Sequence, residues 1–316
     1  MEGQGRAMMQ ENQPSVLGAA IWMLGAMIII GFIDNFVAQV SGVMGLWQFF
    51  VLRTLIVLPA LGLVAVLGFG RLRARNWRFV LLRSTLVAIG MLCYFAGLGM
   101  LPIAQALAGL YTSPIFILLI SWAVLRQSVG PWRVSAVVIG FTGVLFVLQP
   151  DGEAFHLGLL VPVAGGFFYA MGAMITRTYC AQEDTLIMVA GVMGLQGAIS
   201  ALILAGFWIF GSVGDGFLTM GWVWPVTGVW YIIWLQAIGS ILGVYGIIKA
   251  YQMGDPAFVS VIEYSVMIFG PSFAFWIFGT PVTWMQGIGI VLISVAGIVI
   301  AWRSGESSGS RGLAEP

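Results

Sequence analysis

The chain returns repeatedly to nearly uncharged apolar runs of about 20 residues, each long enough at 1.5 Å per helical residue to cross a ~30 Å hydrocarbon layer. Little sequence is left between them for a soluble domain. Backbone groups in lipid must be satisfied within their own segment or in a closed barrel, and continuous apolar runs without strict alternation select helices. Ten spans are expected, at 15–39, 45–69, 79–100, 102–125, 133–149, 157–178, 186–211, 226–250, 256–279 and 284–302. Only 8% of residues are charged, where a soluble domain has about a quarter.

The polar residues 1–14 are read as an N-terminal cytoplasmic tail. The apolar run after them is too long for a signal-peptide core and is read as a retained first helix. Cys93 and Cys180 fall in or at the end of different spans with no CxxC spacing, so they suggest neither a disulfide framework nor a metal site. They read as packing residues, and the sequence asks for no cofactor.

Twelve of the 13 basic residues, all but Arg53, fix an orientation. Arg6 precedes span one; Arg71, Arg73, Arg75, Arg78 and Arg83 lie at the turn from span two to three; Arg126 and Arg133 flank the next turn on that face. Arg177, Lys249, Arg303 and Arg311 follow on the same side, whereas the opposite loops carry the acids Asp151, Glu153 and Asp215. The positive-inside tendency places the arginine face, and with ten spans both termini, in the cytoplasm. Topology accounts for the run at 71–78 without a nucleic-acid partner, and contact with anionic lipid is compatible with it. Arg83, Arg177 and Lys249 are expected to snorkel to that surface, and His156 to be a solvated loop residue.

Residues 94–147 can be laid on 245–300 at an offset near 153. Tyr111-Thr112 then falls on Tyr264-Ser265, Pro102 and Pro256 each open a helix, and Gly143 falls near Gly297. Five spans separate equivalent helices, so two such halves face opposite ways across the membrane, the inverted-repeat plan of many secondary transporters. The expected organisation is a first five-helix repeat at 15–149, a second at 150–302, and a disordered Ser- and Gly-rich cytoplasmic tail at 303–316. The expected fold class is an all-α membrane protein of ten transmembrane helices in two inverted five-helix repeats around a central cavity.

The stretch "LGMLPIAQALAGLYTSPIFILLISWAVLRQSVGPWRVSAVVIGFTGVLFVLQP" resembles the EamA-type hairpin of the drug/metabolite transporter superfamily. It shows a proline after span three, small residues, a Ser-Pro in span four, a short basic turn and a Gly-rich span closed by proline. Arg53 in "WQFFVLRTLIVLPAL" fits the same pattern. The resemblance implies ten helices in two inverted halves around a cavity that carries a small organic metabolite. Relatives commonly have a glutamate at the close of spans four and nine, where this chain has Gln127 and Thr280 before Pro281. Any role of those acids is absent here.

A charge at mid-bilayer costs about 2.5–3.5 kcal/mol on insertion scales, so ionisable groups inside spans face the bundle interior and have partners. Asp34 and Arg53 both lie roughly 8–12 Å below the outer surface at 1.5 Å per residue and are within reach of one another. Either Arg53 binds a substrate carboxylate and Asp34 an ammonium, or the two form a structural pair. Glu263, about two turns into span nine, either meets a cationic substrate group or a proton, or is tied to an internal partner such as Lys249 or a tyrosine hydroxyl. Gln48, Tyr94, Gln105, Tyr111, Thr112, Tyr169, Gln236, Tyr245, Glu263 and Tyr264 form the expected substrate lining, with Asp34, Arg53 and Glu263 as ion-pair or coupling groups. Tryptophans near span ends, Trp22, Trp47, Trp132, Trp222, Trp224, Trp284 and Trp302, read as interfacial anchors.

No phosphate loop, metal cluster or paired catalytic acids appear, which argues against an ATP-driven pump or a hydrolase. The match Gly305-Glu-Ser307-Ser-Gly309 lies in the polar tail, away from any strand-to-helix turn, and is read as chance. The expected function is alternating-access transport of a small organic metabolite, foremost export of amino acids or related compounds. Import of a vitamin or nucleoside-like metabolite such as riboflavin or S-adenosylmethionine is the alternative, and a non-transporting membrane scaffold the reading from another class. The lipid bilayer of a bacterial inner membrane is an expected partner, and proton coupling would fall to Asp34 or Glu263.

Overall fold

The computed structural model describes residues 16–98, 101, 103–124, 126, 130–149, 157–212, 214–226 and 228–309; at 38, 98, 103–105, 157 and 300–309 it describes the backbone alone. The expectations for Arg6, Pro102, Gln127, Asp151, Glu153, His156 and Arg311 fall outside these residues, as do those for the side chains of Gln105, Trp302 and Arg303.

Every regular element among the described residues is helical. Span one is α1 (Val16–Asp34) and α2 (Val37–Ser41), span two α3 (Leu46–Val66), span three α4 (Trp77–Leu98). Span four is α5 (Ile103–Leu110) and α6 (Ser113–Ala123), span five α7 (Pro131–Leu148), span six α8 (Leu160–Tyr179), span seven α9 (Thr185–Phe210). Span eight is α10 (Trp230–Met253), span nine α11 (Pro256–Glu263) and α12 (Val266–Phe278), span ten α13 (Trp284–Gly309). Among the described residues nine stretches are long and apolar enough to cross a membrane, and span ten adds the shorter apolar stretch Trp284–Val299. Helix α13 continues through Gly309, so residues 303–309, expected to be irregular, are helical.

Local chemistry sets several helix starts. Asp184 caps α9 by accepting from the Leu186 amide at 2.8 Å. Asp255 caps α11 by accepting from Ala257 and Phe258, with Pro256 in the first turn, where its missing N–H is no loss. Asp255 also makes an ion pair with Arg133 at 3.4 Å, joining the start of span five to that of span nine.

Three spans are broken. Span four breaks at Tyr111-Thr112 and span nine at Tyr264-Ser265, the positions that the 153-residue offset superposes. Both breaks are short runs of i→i−3 hydrogen bonds: Thr112 to Gly109 and Ile115 to Thr112 in one, Ser265 to Ile262 and Ile268 to Ser265 in the other. Pro114 lies just past the first break; Pro271 lies inside α12, which continues through it, so span nine bends without help from proline.

The most extensive helix pairings are span three with six, five with ten, one with eight, and two with seven. Replacing each span by the one five places away returns the same set: three with six becomes eight with one, and the other two pairings map onto themselves. Between membrane helices there is little hydrophobic driving force, so close approach through small residues does the joining. At the five–ten crossing a Cβ on Gly143 would lie 2.8 Å from the Gly289 carbonyl oxygen, and one on Gly289 would lie 2.5 Å from the Gly143 carbonyl. Gly90 and Gly165 repeat this reciprocal contact between spans three and six. Gly287, two residues from Gly289, has open space around it.

A buried apolar cluster occupies much of the half of the bundle nearest the arginines. It joins Met23 and Met27 of span one, Ile117, Val144 and Ala170, Tyr251, Phe258 and Tyr264, and Ile293.

Candidate functional site

The two carboxylates inside the spans occupy equivalent kinds of place: Asp34 is the last residue of α1 and Glu263 the last of α11, each at the C-terminal end of a half-helix next to a break. Their surroundings differ.

Glu263 is 7% exposed. Its Oε1 accepts from the Tyr169 hydroxyl at 2.5 Å and its Oε2 from the Tyr251 hydroxyl at 2.8 Å. Of the internal partners weighed from sequence, tyrosine hydroxyls fill the role and Lys249 does not. Next to it Tyr264 is fully buried, its ring against Gly140, and its hydroxyl donates to the Tyr111 carbonyl at 3.2 Å. The hydroxyl of one broken span thus serves a carbonyl loosened at the break of the other. Gly109, another carbonyl of the first break, receives the Thr112 hydroxyl at 2.6 Å.

Asp34 is exposed although it lies well inside a membrane-crossing segment, and its neighbour Asn35 lines a cleft described below. The carbonyls around it are closed off by side chains: Asn35 Nδ2 donates to Gly31 and Gly270, and Gln236 Nε2 donates to Ile33 at 2.6 Å. A neighbouring cleft of about 250 Å³ is lined by Asn35, Gly270, Pro271, Thr280, Pro281 and Gln286 among others. Among the described residues that line it none is charged.

The expected Asp34–Arg53 pair is not closed, since among the described residues the Arg133–Asp255 contact is the sole ion pair within 4 Å. Arg53 is 8% exposed, its Nη2 donates to Gln196 Oε1 at 2.8 Å, and its guanidinium lies 4.6 Å from the centre of the Phe50 ring. Its Nε is buried without a partner. Gln196 was not singled out from sequence, although a lone glutamine within the apolar "MVAGVMGLQGAISALIL" is the signal that could have found it.

Several expected lining residues are engaged elsewhere. Gln48 is fully buried and exchanges two bonds with the Val223 backbone, at 2.7 and 2.9 Å, while Trp47 donates to the Leu218 carbonyl at 2.7 Å. Both strap the loop between spans seven and eight over the start of span two. Gln236 serves Ile33, and Tyr245 packs on Trp22 with ring centres 5.7 Å apart. Tyr94, Tyr111, Thr112 and Tyr169 remain half-buried toward the centre. Tyr251, which completes the Glu263 cradle, was missed because it falls one residue past the expected end of span eight.

The opposite face carries a second strap. Glu183 accepts from the Arg75 and Asn76 amides and Asp184 from the Arg71 amide, tying the basic loop to the turn after span six. Arg177 donates to the Gln252 carbonyl at 2.5 Å instead of reaching free solvent. Arg83 corrects another expectation: it is 4% exposed, donating to the Thr176 hydroxyl at 3.0 Å and the Met188 carbonyl at 3.4 Å. The close packing of spans three and six at Gly172 encloses the side chain that was expected to snorkel. Cys180, at the end of span six, is fully buried, and burial pushes its thiol up to about 11 against the opposing pull of Arg83. It is a packing residue.

These features define a polytopic membrane protein with broken helices meeting at a polar centre, the construction of a secondary transporter. Residues 17–149 match the EamA-like transporter family. A riboflavin transporter of Vibrio cholerae serotype O1 is 27% identical over 310 residues, covering 94% of this chain and 98% of that protein. A riboflavin transporter of Rhizobium johnstonii is 29% identical over 264 residues, 80% of each chain. An S-adenosylmethionine uptake transporter of Rickettsia bellii is 22% identical over 198 residues, 63% of each. A crystal structure superposes with a TM-score of 0.74 at 20% identity, covering 89% of this chain and 95% of that one, a likeness of fold. The chain is similar to these transporters over nearly its whole length. It is an integral membrane protein that transports a small metabolite, and the family and named relatives it matches are transporters, not enzymes.

Proposed function

We propose that the protein imports a flat, neutral heteroaromatic metabolite of the riboflavin type across a bacterial inner membrane by alternating access of two inverted halves, 15–149 and 150–302. The observation that carries this reading is the similarity to a riboflavin transporter along nearly the whole chain. Export of amino acids, the foremost expectation from sequence, gains nothing from the relatives, whose names favour the vitamin or nucleoside-like alternative. The set of helix pairings, unchanged on moving five places along the chain, supports the division into halves. In this arrangement Tyr94 and Tyr111 offer faces for ring stacking and Asp34 accepts hydrogen bonds from ring N–H or ribityl hydroxyl groups. Arg53, held by Gln196 and Phe50, braces spans two and seven.

S-adenosylmethionine is the second reading. An exposed carboxylate at Asp34, with no counter-ion within 4 Å among the described residues, suits a sulfonium and an ammonium group. Purified full-length protein in liposomes, supplied with labelled riboflavin, S-adenosylmethionine and amino acids in parallel, separates the readings. Saturable riboflavin accumulation or exchange is expected; transport of S-adenosylmethionine alone supports the second reading, and movement of none supports a scaffold.

A further inference from the structure

Glu263 stands apart from the accessible groups around Asp34. Its carboxyl is buried at the end of α11, where helix carbonyls concentrate negative potential. No basic side chain approaches it within 4 Å among the described residues. A lone ionised carboxylate there is costly, because desolvation in the membrane interior is not offset by a cation. Both of its contacts are tyrosine hydroxyls, which donate or accept equally well. The same heavy-atom geometry therefore serves the ionised and the protonated acid, with one hydroxyl rotating from donor to acceptor.

The polar groups that face this carboxyl among the described residues come from four spans. Span six presents Tyr169, with Arg83 beyond it; span eight presents Tyr251; span four presents Tyr111, across which lies Asp34; span nine itself adds Tyr264. The faces of spans one, five and ten that pack here are apolar, with Met23, Met27, Val144 and Ala296. The next residue, Tyr264, bridges to the Tyr111 carbonyl, so the acid adjoins the contact that links both broken spans.

We propose that Glu263, cradled by Tyr169 and Tyr251, is a proton-binding site whose loading and release are coupled to substrate movement. A proton from the water on one side adds to a carboxylate oxygen and is released to the other side after the conformational change, and no other bond is made or broken. The coupling rests on the transport reading; proton binding does not.

The experiment has two arms. Infrared difference spectra of the purified full chain in lipid, recorded between about pH 5 and 9, follow the protonated-carboxyl stretch. A band that appears on acidification in wild type and Asp34→Asn and is lost in Glu263→Gln is expected; its absence in wild type, or its persistence in Glu263→Gln, overturns the site. If Glu263→Gln fails to fold, Tyr251→Phe replaces it: removing one hydroxyl must shift the pH at which the band appears, and an unmoved band overturns the site. In the second arm, labelled riboflavin is offered to proteoliposomes with and without an acid exterior. Acceleration by external acid in wild type, loss of that response in Glu263→Gln, and a response in Tyr251→Phe displaced in pH together with its infrared band are expected; an unchanged response in either variant overturns the coupling. A titrating Glu263 in a protein that moves no riboflavin overturns the substrate reading and leaves the proton site standing.

Discussion

Replacing Tyr264 with phenylalanine removes one hydroxyl and little else, and the structure says what that hydroxyl holds. It donates to the Tyr111 carbonyl at 3.2 Å while its ring is wedged at Gly140, within the cluster that closes the arginine face. A neutral hydrogen bond contributes about 0.5–1.5 kcal/mol net, which corresponds to roughly a two- to twelvefold change in a two-state equilibrium. The phenyl ring keeps its packing, so the loss falls on the bond alone. In an alternating transporter a contact that closes one face biases the population toward the conformer open on the other. Tyr264→Phe should therefore raise the population open at the arginine face by about that factor. Spin-label distances between the loop at 71–76 and the turn at 254–255, measured in nanodiscs without substrate, read the populations directly. Because residue 111 is the equivalent of 264, Tyr111→Phe is expected to shift the distribution the opposite way. Equal distributions in wild type and both variants, or shifts in the same direction, refute the reasoning.

Other outcomes follow from the packing. Gly289→Ala places a methyl 2.5 Å from the Gly143 carbonyl and 2.8 Å from the Val147 amide, backbone atoms with little freedom, so the five–ten crossing loses about 1–3 kcal/mol; a lower thermal midpoint in detergent checks it, with Gly287→Ala, which meets open space, as the neutral control. Gln48→Leu deprives the half-buried Val223 amide and carbonyl of their partners, at about 0.5–1.5 kcal/mol for each bond lost where water can reach, and faster amide exchange is expected at 217–223. Arg83→Met removes a buried charge held by two neutral oxygens and fills similar space, so stability should hold or rise, whereas Arg83→Ala leaves a cavity and should lower it.

The helices were legible because lipid imposes one constraint on every span: length and apolarity suffice, and propensity hardly enters. The breaks at 111 and 264 were not: the superposition of the two halves aligns these positions, but nothing in the residues marks them as interruptions of spans four and nine. The direction in which each span faces was not legible either. Sequence alone gave Gln48 and Gln236 to the substrate, whereas both satisfy backbone groups: Gln48 in the loop after span seven, Gln236 at the end of α1. A glutamine inside the bundle has the same sequence signature in either role, and which carbonyl lies opposite depends on how nonadjacent spans pack. Arg83 was misjudged for a related reason: its distance from the surface along span three permits snorkelling, and only the packing of spans three and six at Gly172 closes the way. Glu263 stood out because acids are so rare in the spans, but its second hydroxyl partner, Tyr251, comes from a different span and has no sequence marker.

The account turns on a water-reachable interior that begins at Asp34 and admits substrate. A single cysteine at Asp34→Cys, in a background with Cys93→Ser and Cys180→Ser, should react with a membrane-impermeant maleimide added on the face opposite the arginines. Riboflavin should slow that reaction in proportion to its occupancy. A cysteine at 34 that is inert from both faces, or that reacts at the same rate with and without riboflavin, would contradict the account.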